Sequence, residues 1–168
     1  MAIESIFERN MQLIRCKNNF GEFVEVPREN FFFRPSAYGF IINNGEIVTL
    51  TNKSNGKIWF PGGAIEIGER IEDGLRRETK EETGLDISIG KLILVKENFF
   101  YYQPLDEAYH AFLFFYYCKH QTTKLISYDD VNDLESKKPR WKKISEIREE
   151  DISDLSKDIY TAINNLDY

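Results

Sequence analysis

The 168-residue sequence has few cysteines, few histidines and no long apolar segment. Its two cysteines, Cys16 and Cys118, are far apart and form no C-x-x-C pair. This spacing favours two buried free thiols over a disulfide or a zinc site. The longest apolar run, residues 111–118, is too short to cross a bilayer. With only two histidines, the sequence suggests no Ser-His-Asp or Cys-His arrangement for nucleophilic catalysis.

Acidic residues outnumber basic ones, 28 to 22, which gives a formal net charge of −6. A nucleic-acid-binding surface is therefore not expected, and an anionic phosphate substrate would need a cation beside the acidic side chains. The first ten residues are too charged for a secretory signal, so we expect a cytoplasmic protein with no membrane partner. The length predicts a single domain over residues 1–168, with residues 1–35 as an N-terminal extension that adds strands.

Strand-like segments precede and follow one central helix. Strands are predicted at residues 11–16, 23–26, 36–43, 46–51, 58–60, 87–100, 109–118 and 140–143. Helices are predicted from about Glu69 to Gly84 and from Ser153 onward, with Gly84 as the residue that stops the first one. Residues 101–107 are expected to form a loop, and residues 119–138 a loop with a possible short strand. Residues 1–10 stay open between a short helix and a frayed end. This order predicts an α/β layered sandwich with a mixed sheet.

The central helix has a face that begins apolar and becomes acidic. On a helical wheel, one arc of about 120° contains Ile71, Gly74, Leu75, Glu78, Glu81, Glu82 and Leu85. Thr79 and Thr83 fall on the opposite side with the remaining charged residues. Inward carboxylates cost free energy unless something pairs with them, and Glu78 and Glu82 are like charges one turn apart. A hard divalent cation such as Mg²⁺, Mn²⁺ or Ca²⁺ would remove both penalties, so the helix predicts a metal site.

The segment from Gly63 to Leu85 resembles the Nudix box, G-x5-E-x7-R-E-U-x-E-E-x-G-U, in which U is aliphatic. The matching residues are Gly63, Glu69, Arg77, Glu78, Glu81, Glu82, Gly84 and Leu85. Thr79 stands where the first aliphatic residue is expected, which affects packing more than chemistry. Residues 59–63 and 141–147 also resemble the segments that flank the catalytic region in this family. The chain is thus similar to the Nudix (MutT-like) hydrolases, which implies an α/β/α sandwich with a central mixed sheet.

Members of this family hydrolyse a diphosphate bond in a nucleoside diphosphate linked to another group. The resemblance implies that Glu78, Glu81, Glu82 and the backbone carbonyl of Gly62 bind Mg²⁺, with Mn²⁺ as the alternative. Glu81 or Glu78 is the expected general base, although in some relatives a later loop supplies it.

In this sequence that loop offers Asp106 and Glu107. Glu69 and Arg77 are expected to form a pair that fixes the helix against the glycine loop. A surface pair between Arg77 and Glu81 is the alternative.

Substrate contacts are predicted at Arg34, Gly63, Tyr101, Tyr102 and Glu107. Arg34 is a candidate for a phosphate contact, and either tyrosine is a candidate for stacking on a base. The plainer alternatives are an exposed arginine and core aromatics.

The expected substrate is a (d)NTP or a modified nucleotide. The alternatives are a dinucleoside polyphosphate, ADP-ribose or a nucleotide sugar, and a non-catalytic nucleotide-binding module is the minor one. The family often forms homodimers, for which the N-terminal strands offer a surface.

Overall fold

The computed structural model describes residues 12–53, 55–127, 136–153 and 155–166. The prediction for residues 1–10 and the part of the loop prediction that covers residues 128–135 lie outside these ranges. In the described part of the chain, every helix is too short or too polar to span a membrane.

Every strand and helix predicted from the sequence has a counterpart in the described residues. The elements are β1 (Leu13–Asn18), β2 (Phe23–Pro27), β3 (Phe31–Asn43), β4 (Glu46–Asn52), β5 (Ile58–Trp59), β6 (Gly62–Ala64), α1 (Ile71–Thr83), β7 (Ile87–Tyr102), β8 (Glu107–His120), β9 (Ser136–Lys143) and α2 (Ser156–Asn164). Strand β3 begins five residues before the predicted start, because Pro35 is accommodated within it. Pro35 has no N–H to donate, but its carbonyl accepts a hydrogen bond from the Ile65 N–H at 2.9 Å.

The described residues divide into two compact units. The first contains the residues up to Arg34 together with Glu97–Ala111. Here β1 and β2 form an antiparallel hairpin, and β1 runs parallel to the end of β7 through the Lys17–Phe100 pair. Cys16, Val26 and Ala108 form its buried core. The first unit therefore contains two strands, β1 and β2, before β3 begins.

The second unit contains Pro35–Lys96 and the described residues from Phe112 onward. Its strands lie in the order β7-β8-β3-β4-β5, with β6 beside β3 and β9 beside β4. Tyr116 and Cys118 of β8 pack in a cluster with Leu75 and Leu85. The alternate residue Phe115 stacks on Tyr38 and Phe40, at 5.2 and 5.4 Å between ring centroids. Because alternate residues of a strand point to opposite faces, both faces of this sheet are covered.

Helix α1 ends where the sequence predicts. Gly84 has a left-handed conformation with φ of 76°, and its N–H donates to the Lys80 carbonyl at 2.9 Å. A side chain there would be strained by the backbone angle and would meet the Ile126 side chain. Glycine is therefore required at this position, and the predicted stop is confirmed. The helix begins at Ile71, two residues after the predicted start.

Candidate functional site

The glycine loop that precedes α1 is held against β3. Gly62, Gly63 and Ala64 form β6, which pairs antiparallel with residues 36–38 of β3. The φ of Gly62 is 132°, and a Cβ at this position would lie 2.0 Å from the Ala37 carbonyl oxygen. Only glycine fits so close an approach of two backbones. The position of the loop is therefore set by the sheet.

Two glutamates of α1 meet this loop. The Gly62 N–H donates to Oε2 of Glu82 at 2.8 Å, and Glu82 is only 4% exposed. A Cβ on Gly63 would lie 2.8 Å from Cδ of Glu78, so the loop backbone packs directly against that carboxylate. The structure thus brings Gly62, Gly63, Glu78 and Glu82 together.

Arg77 connects the start of the helix to the loop. Its Nε and Nη2 donate to the two carboxylate oxygens of Glu69, each at 3.0 Å, in a bidentate pair. Nη1 donates to Glu78 at 2.8 Å, and Nη2 also donates to the Ala64 carbonyl at 3.3 Å. These contacts lower the pKa of Glu69, mainly through the Arg77 hydrogen bonds and also through the Glu66 N–H. They also raise the pKa of Arg77. Both groups are therefore held in their charged forms.

The alternative ion pair between Arg77 and Glu81 is also present, but its atoms are farther apart and its carboxylate is more exposed. Nη1 of Arg77 lies 3.6 Å from Oε2 of Glu81, whose side chain is 62% exposed. The side chain of Glu69 is 18% exposed. Exposed ion pairs contribute little to stability. Glu69 is thus the principal partner of Arg77.

The wheel-based expectation was wrong for three residues of α1. Glu81 was expected to face inward, but it is exposed, whereas Thr79 and Thr83 were expected to face outward and are fully buried. Two later residues contact this part of the helix: the Ile126 N–H donates to the Thr83 carbonyl at 3.0 Å, and Leu125 packs on the cluster that contains Leu75. A helical wheel with a single inward arc does not predict contacts on another side of the helix.

The residue types at this site suit a divalent cation, but their side chains are not arranged around one. Glu78 and Glu82 supply carboxylate oxygens next to a glycine loop with backbone carbonyls, which is the donor type that hard cations prefer. Among the described residues, however, no three His, Cys, Asp or Glu side chains are grouped closely enough to hold an ion. Instead, Glu78 and Glu82 accept hydrogen bonds from Arg77 and Gly62, and Glu81 points to solvent. The donor types therefore suit the ion, although the Glu81 side chain lies mostly in solvent.

The first unit contains the other predicted substrate contacts. The Arg34 guanidinium lies 5.0 Å from the ring centroid of Tyr109 and 5.8 Å from that of Phe100. Glu107 accepts a hydrogen bond from the Tyr109 hydroxyl. Arg34, Tyr109 and Glu107 therefore form one cluster. Sequence reasoning missed Tyr109, although its i,i+2 spacing from Glu107 places both on one face of β8.

The two predicted tyrosines lie at the end of β7 in the same unit. The Tyr101 hydroxyl donates to Oδ1 of Asp106 at 2.5 Å, and this hydrogen bond raises the pKa of Tyr101. The Tyr101 ring packs on the core around Cys16, so core packing accounts for its position. Tyr102 is half-buried.

Solved structures with the same fold include a MutT protein and an ADP-ribose pyrophosphatase. The MutT protein from Bacillus halodurans superposes with a TM-score of 0.61 at 21% identity, over 80% of this chain and 84% of that chain. An ADP-ribose pyrophosphatase from Streptococcus suis superposes with a TM-score of 0.57 at 14% identity, over 80% and 94%. At these identities the likeness concerns the fold. It confirms the predicted Nudix-type α/β architecture.

A family model described as the NUDIX domain matches residues 32–162, and the chain belongs to this family. Over 75 residues it is 36% identical to Nudix hydrolase 2 of Arabidopsis thaliana, which is 41% of this chain and 27% of that protein. Over 64 residues it is 33% identical to a MutT-like protein of Streptomyces ambofaciens, which is 38% of this chain and 42% of that protein. The chain thus matches less than half the length of either relative.

Proposed function

We propose that the protein hydrolyses a diphosphate linkage in a nucleoside diphosphate derivative with a divalent cation, Mg²⁺ first and Mn²⁺ as the alternative. The observation that carries this proposal is the buried Glu82 carboxylate, which lies on the glycine loop with Glu78 beside it. The two carboxylates lie one turn apart at this loop, and carboxylate oxygens next to backbone carbonyls are the ligands that a hard divalent cation prefers. Membership of the NUDIX domain family supports the same class of reaction.

Glu78, Glu81, Glu82 and the Gly62 carbonyl would hold the cation. When bound, a divalent ion neutralises phosphate oxygens and lowers the pKa of bound water. The absence of a side chain on Gly63 lets the loop backbone approach the phosphates. Arg77 and Glu69 would keep the helix and the loop in register, since Arg77 contacts both.

The general base is proposed to be Glu78 or Glu81. Glu78 accepts a hydrogen bond from Arg77, whereas Glu81 is exposed to water. Asp106 and Glu107 remain the alternatives, and each accepts a hydrogen bond from a tyrosine hydroxyl. The acidic limb of a pH–rate profile identifies the base, because it disappears only when that residue is replaced by glutamine.

For the substrate we propose a (d)NTP or a modified nucleotide, with contacts from Arg34, Gly63, Tyr101, Tyr102 and Glu107. The Arg34 guanidinium over two aromatic rings supports a site for an anionic group next to a flat one.

A homodimer through the β1–β2 hairpin is also proposed. Phe20 and Phe23 support it, since they are 60% and 59% exposed. Sedimentation equilibrium measures the subunit number.

The test is a product-release assay over a panel of nucleotides with and without Mg²⁺. The panel contains (d)NTPs, oxidised nucleotides, dinucleoside polyphosphates, ADP-ribose and nucleotide sugars. We expect Mg²⁺-dependent release of a nucleoside monophosphate with pyrophosphate or a phosphorylated fragment. Binding without turnover across the whole panel would instead indicate a non-catalytic module.

The variant Glu82→Gln tests the metal assignment. The glutamine amide oxygen still accepts from the Gly62 N–H, so the fold is kept while the charge is lost. Turnover should fall by more than the roughly 10–100-fold typical of residues that only orient metal ligands. Glu72→Gln is the matched control, since Glu72 lies on the same helix with its side chain 57% exposed. Unchanged turnover in Glu82→Gln would refute the assignment.

A further inference from the structure

A groove of about 560 Å³ lies in the second unit between β7, β8 and α2. Its volume is within the range of about 300–1,000 Å³ that small-molecule sites occupy. Ile93, Leu94, Ala162 and Leu166 give it an apolar lining. The groove is therefore large enough and apolar enough to hold a small organic molecule.

The groove is separate from the site built on α1. Tyr116 and Cys118 of β8 pack in the cluster that contains Leu75 of α1, whereas Tyr117 lines the groove. Because neighbouring residues of a strand point to opposite faces, Tyr117 places the groove on the sheet face away from α1. Its lining contains no residue of the glycine loop or of α1.

The charged residues of the groove favour an anion. Lys91 and Lys157 line it, and both are exposed. Its one acidic lining residue, Asp158, is paired with Lys96 at 2.8 Å, so that carboxylate is already neutralised. The groove thus carries local positive charge in a chain whose formal net charge is −6.

Neutral polar groups complete the lining. Thr161 and Asn165 line the groove from α2 and the residue that follows it, four positions apart and thus on one helix face. Each offers hydrogen-bonding groups, and a few polar groups in an apolar setting are typical of sites that orient a ligand.

We propose that this groove binds a small phosphorylated molecule with an aromatic or apolar body. The two lysines supply charge-assisted contacts to a phosphate, which lysine binds as a point charge. The apolar residues and the Tyr117 ring cover the body of the ligand. Both halves of the ligand are needed, because neither inorganic phosphate nor a neutral apolar molecule uses the whole groove.

The test uses ¹⁵N-labelled protein with EDTA present and phenyl phosphate as the probe, followed by amide chemical shifts. We expect saturable shifts at the amides of Tyr117, Thr161 and Asn165. Inorganic phosphate and benzyl alcohol should each bind at least tenfold more weakly than phenyl phosphate. These two comparisons separate the contribution of the phosphate from that of the ring.

The double variant Lys91→Gln with Lys157→Gln should weaken binding at least tenfold. Both lysines are exposed, so the amide spectrum of the variant should otherwise match the parent. Lys57→Gln is the matched control, since Lys57 is exposed on the β4–β5 connection of the same unit and does not line the groove. It should leave binding unchanged.

Four outcomes would overturn the proposal. The first is a set of shifts centred on the glycine loop and α1, and the second is inorganic phosphate binding as tightly as phenyl phosphate. The third is equal weakening by the control and by the double variant. The fourth is the absence of saturable shifts at millimolar probe.

Discussion

Replacing Thr79 with valine should make the protein more stable. Thr79 is fully buried in α1, and its Oγ1 is a buried side-chain atom for which the described residues provide no hydrogen-bond partner. A buried hydroxyl without a partner costs about 1–3 kcal/mol. Valine has the same shape and nearly the same helix propensity. The backbone carbonyl at position 79 is unchanged in the variant.

The expected gain in the free energy of unfolding is about 1–2 kcal/mol, because some relaxation around the hydroxyl offsets the full penalty. For a chain of this length each kcal/mol raises Tm by roughly 2–4 °C. Urea unfolding, followed by tryptophan fluorescence, should show a higher midpoint with an unchanged slope. The gain should appear without a cation, since it comes from the fold.

Thr83→Val is the matched control, with the same chemical change one turn later. The Thr83 hydroxyl donates to the Thr79 carbonyl at 2.6 Å and accepts from the Leu85 N–H at 3.1 Å. Its loss removes two hydrogen bonds and leaves a buried N–H without its partner, so this variant should lose about 1–3 kcal/mol. The two variants should differ in sign. A destabilised or unchanged Thr79→Val would show that its hydroxyl has a partner and would refute the reasoning.

Gly63→Ala should reduce turnover while changing the free energy of unfolding by less than about 1 kcal/mol, because the added methyl displaces only the flexible end of Glu78. Gly62→Ala should prevent folding, because its Cβ would meet backbone at 2.0 Å, and circular dichroism with an activity assay separates the two cases. The pKa of Glu69 in the folded state lies below its ordinary value, so this carboxylate contributes stability above pH ~4.3 that is lost as the pH falls through the lower folded value. The urea midpoint of Glu69→Gln should therefore fall less than that of the parent between pH 7 and pH 3. An equal fall of the midpoint in the two proteins would contradict this linkage. Turnover of Glu69→Gln should fall less than that of Glu82→Gln.

The sequence predicted which helices and strands form better than it predicted where they begin and end. The sequence indicated Gly84 as the helix stop, because the residue that ends a helix is set by local backbone geometry. Gly62 and Glu82, which the resemblance assigns to one site, are in hydrogen-bond contact. Alternation and turn residues likewise indicated the strands, except β6, whose residues were predicted to form a glycine loop. The early start of β3 could not be read, because Pro35 usually ends a strand and is tolerated here without a donor.

Burial that depends on distant segments could not be predicted. Thr83 lies at the end of α1, where a residue some forty positions later contacts it, as the hydrogen bond from the Ile126 N–H to the Thr83 carbonyl shows. A periodicity argument recognises only the face with the strongest apolar signal. The cluster of Arg34 with Tyr109 likewise depends on strand pairing that one sequence does not specify.

The late position of β9 in the chain has a consequence for shortened versions of this protein. β9 lies along β4 from Glu46 to Asn52, on the side opposite β3. A fragment that stops before residue 136 would leave that row of amides and carbonyls open to any other extended chain. Such fragments should associate with one another and precipitate, so expression trials of a shortened chain need to retain this strand.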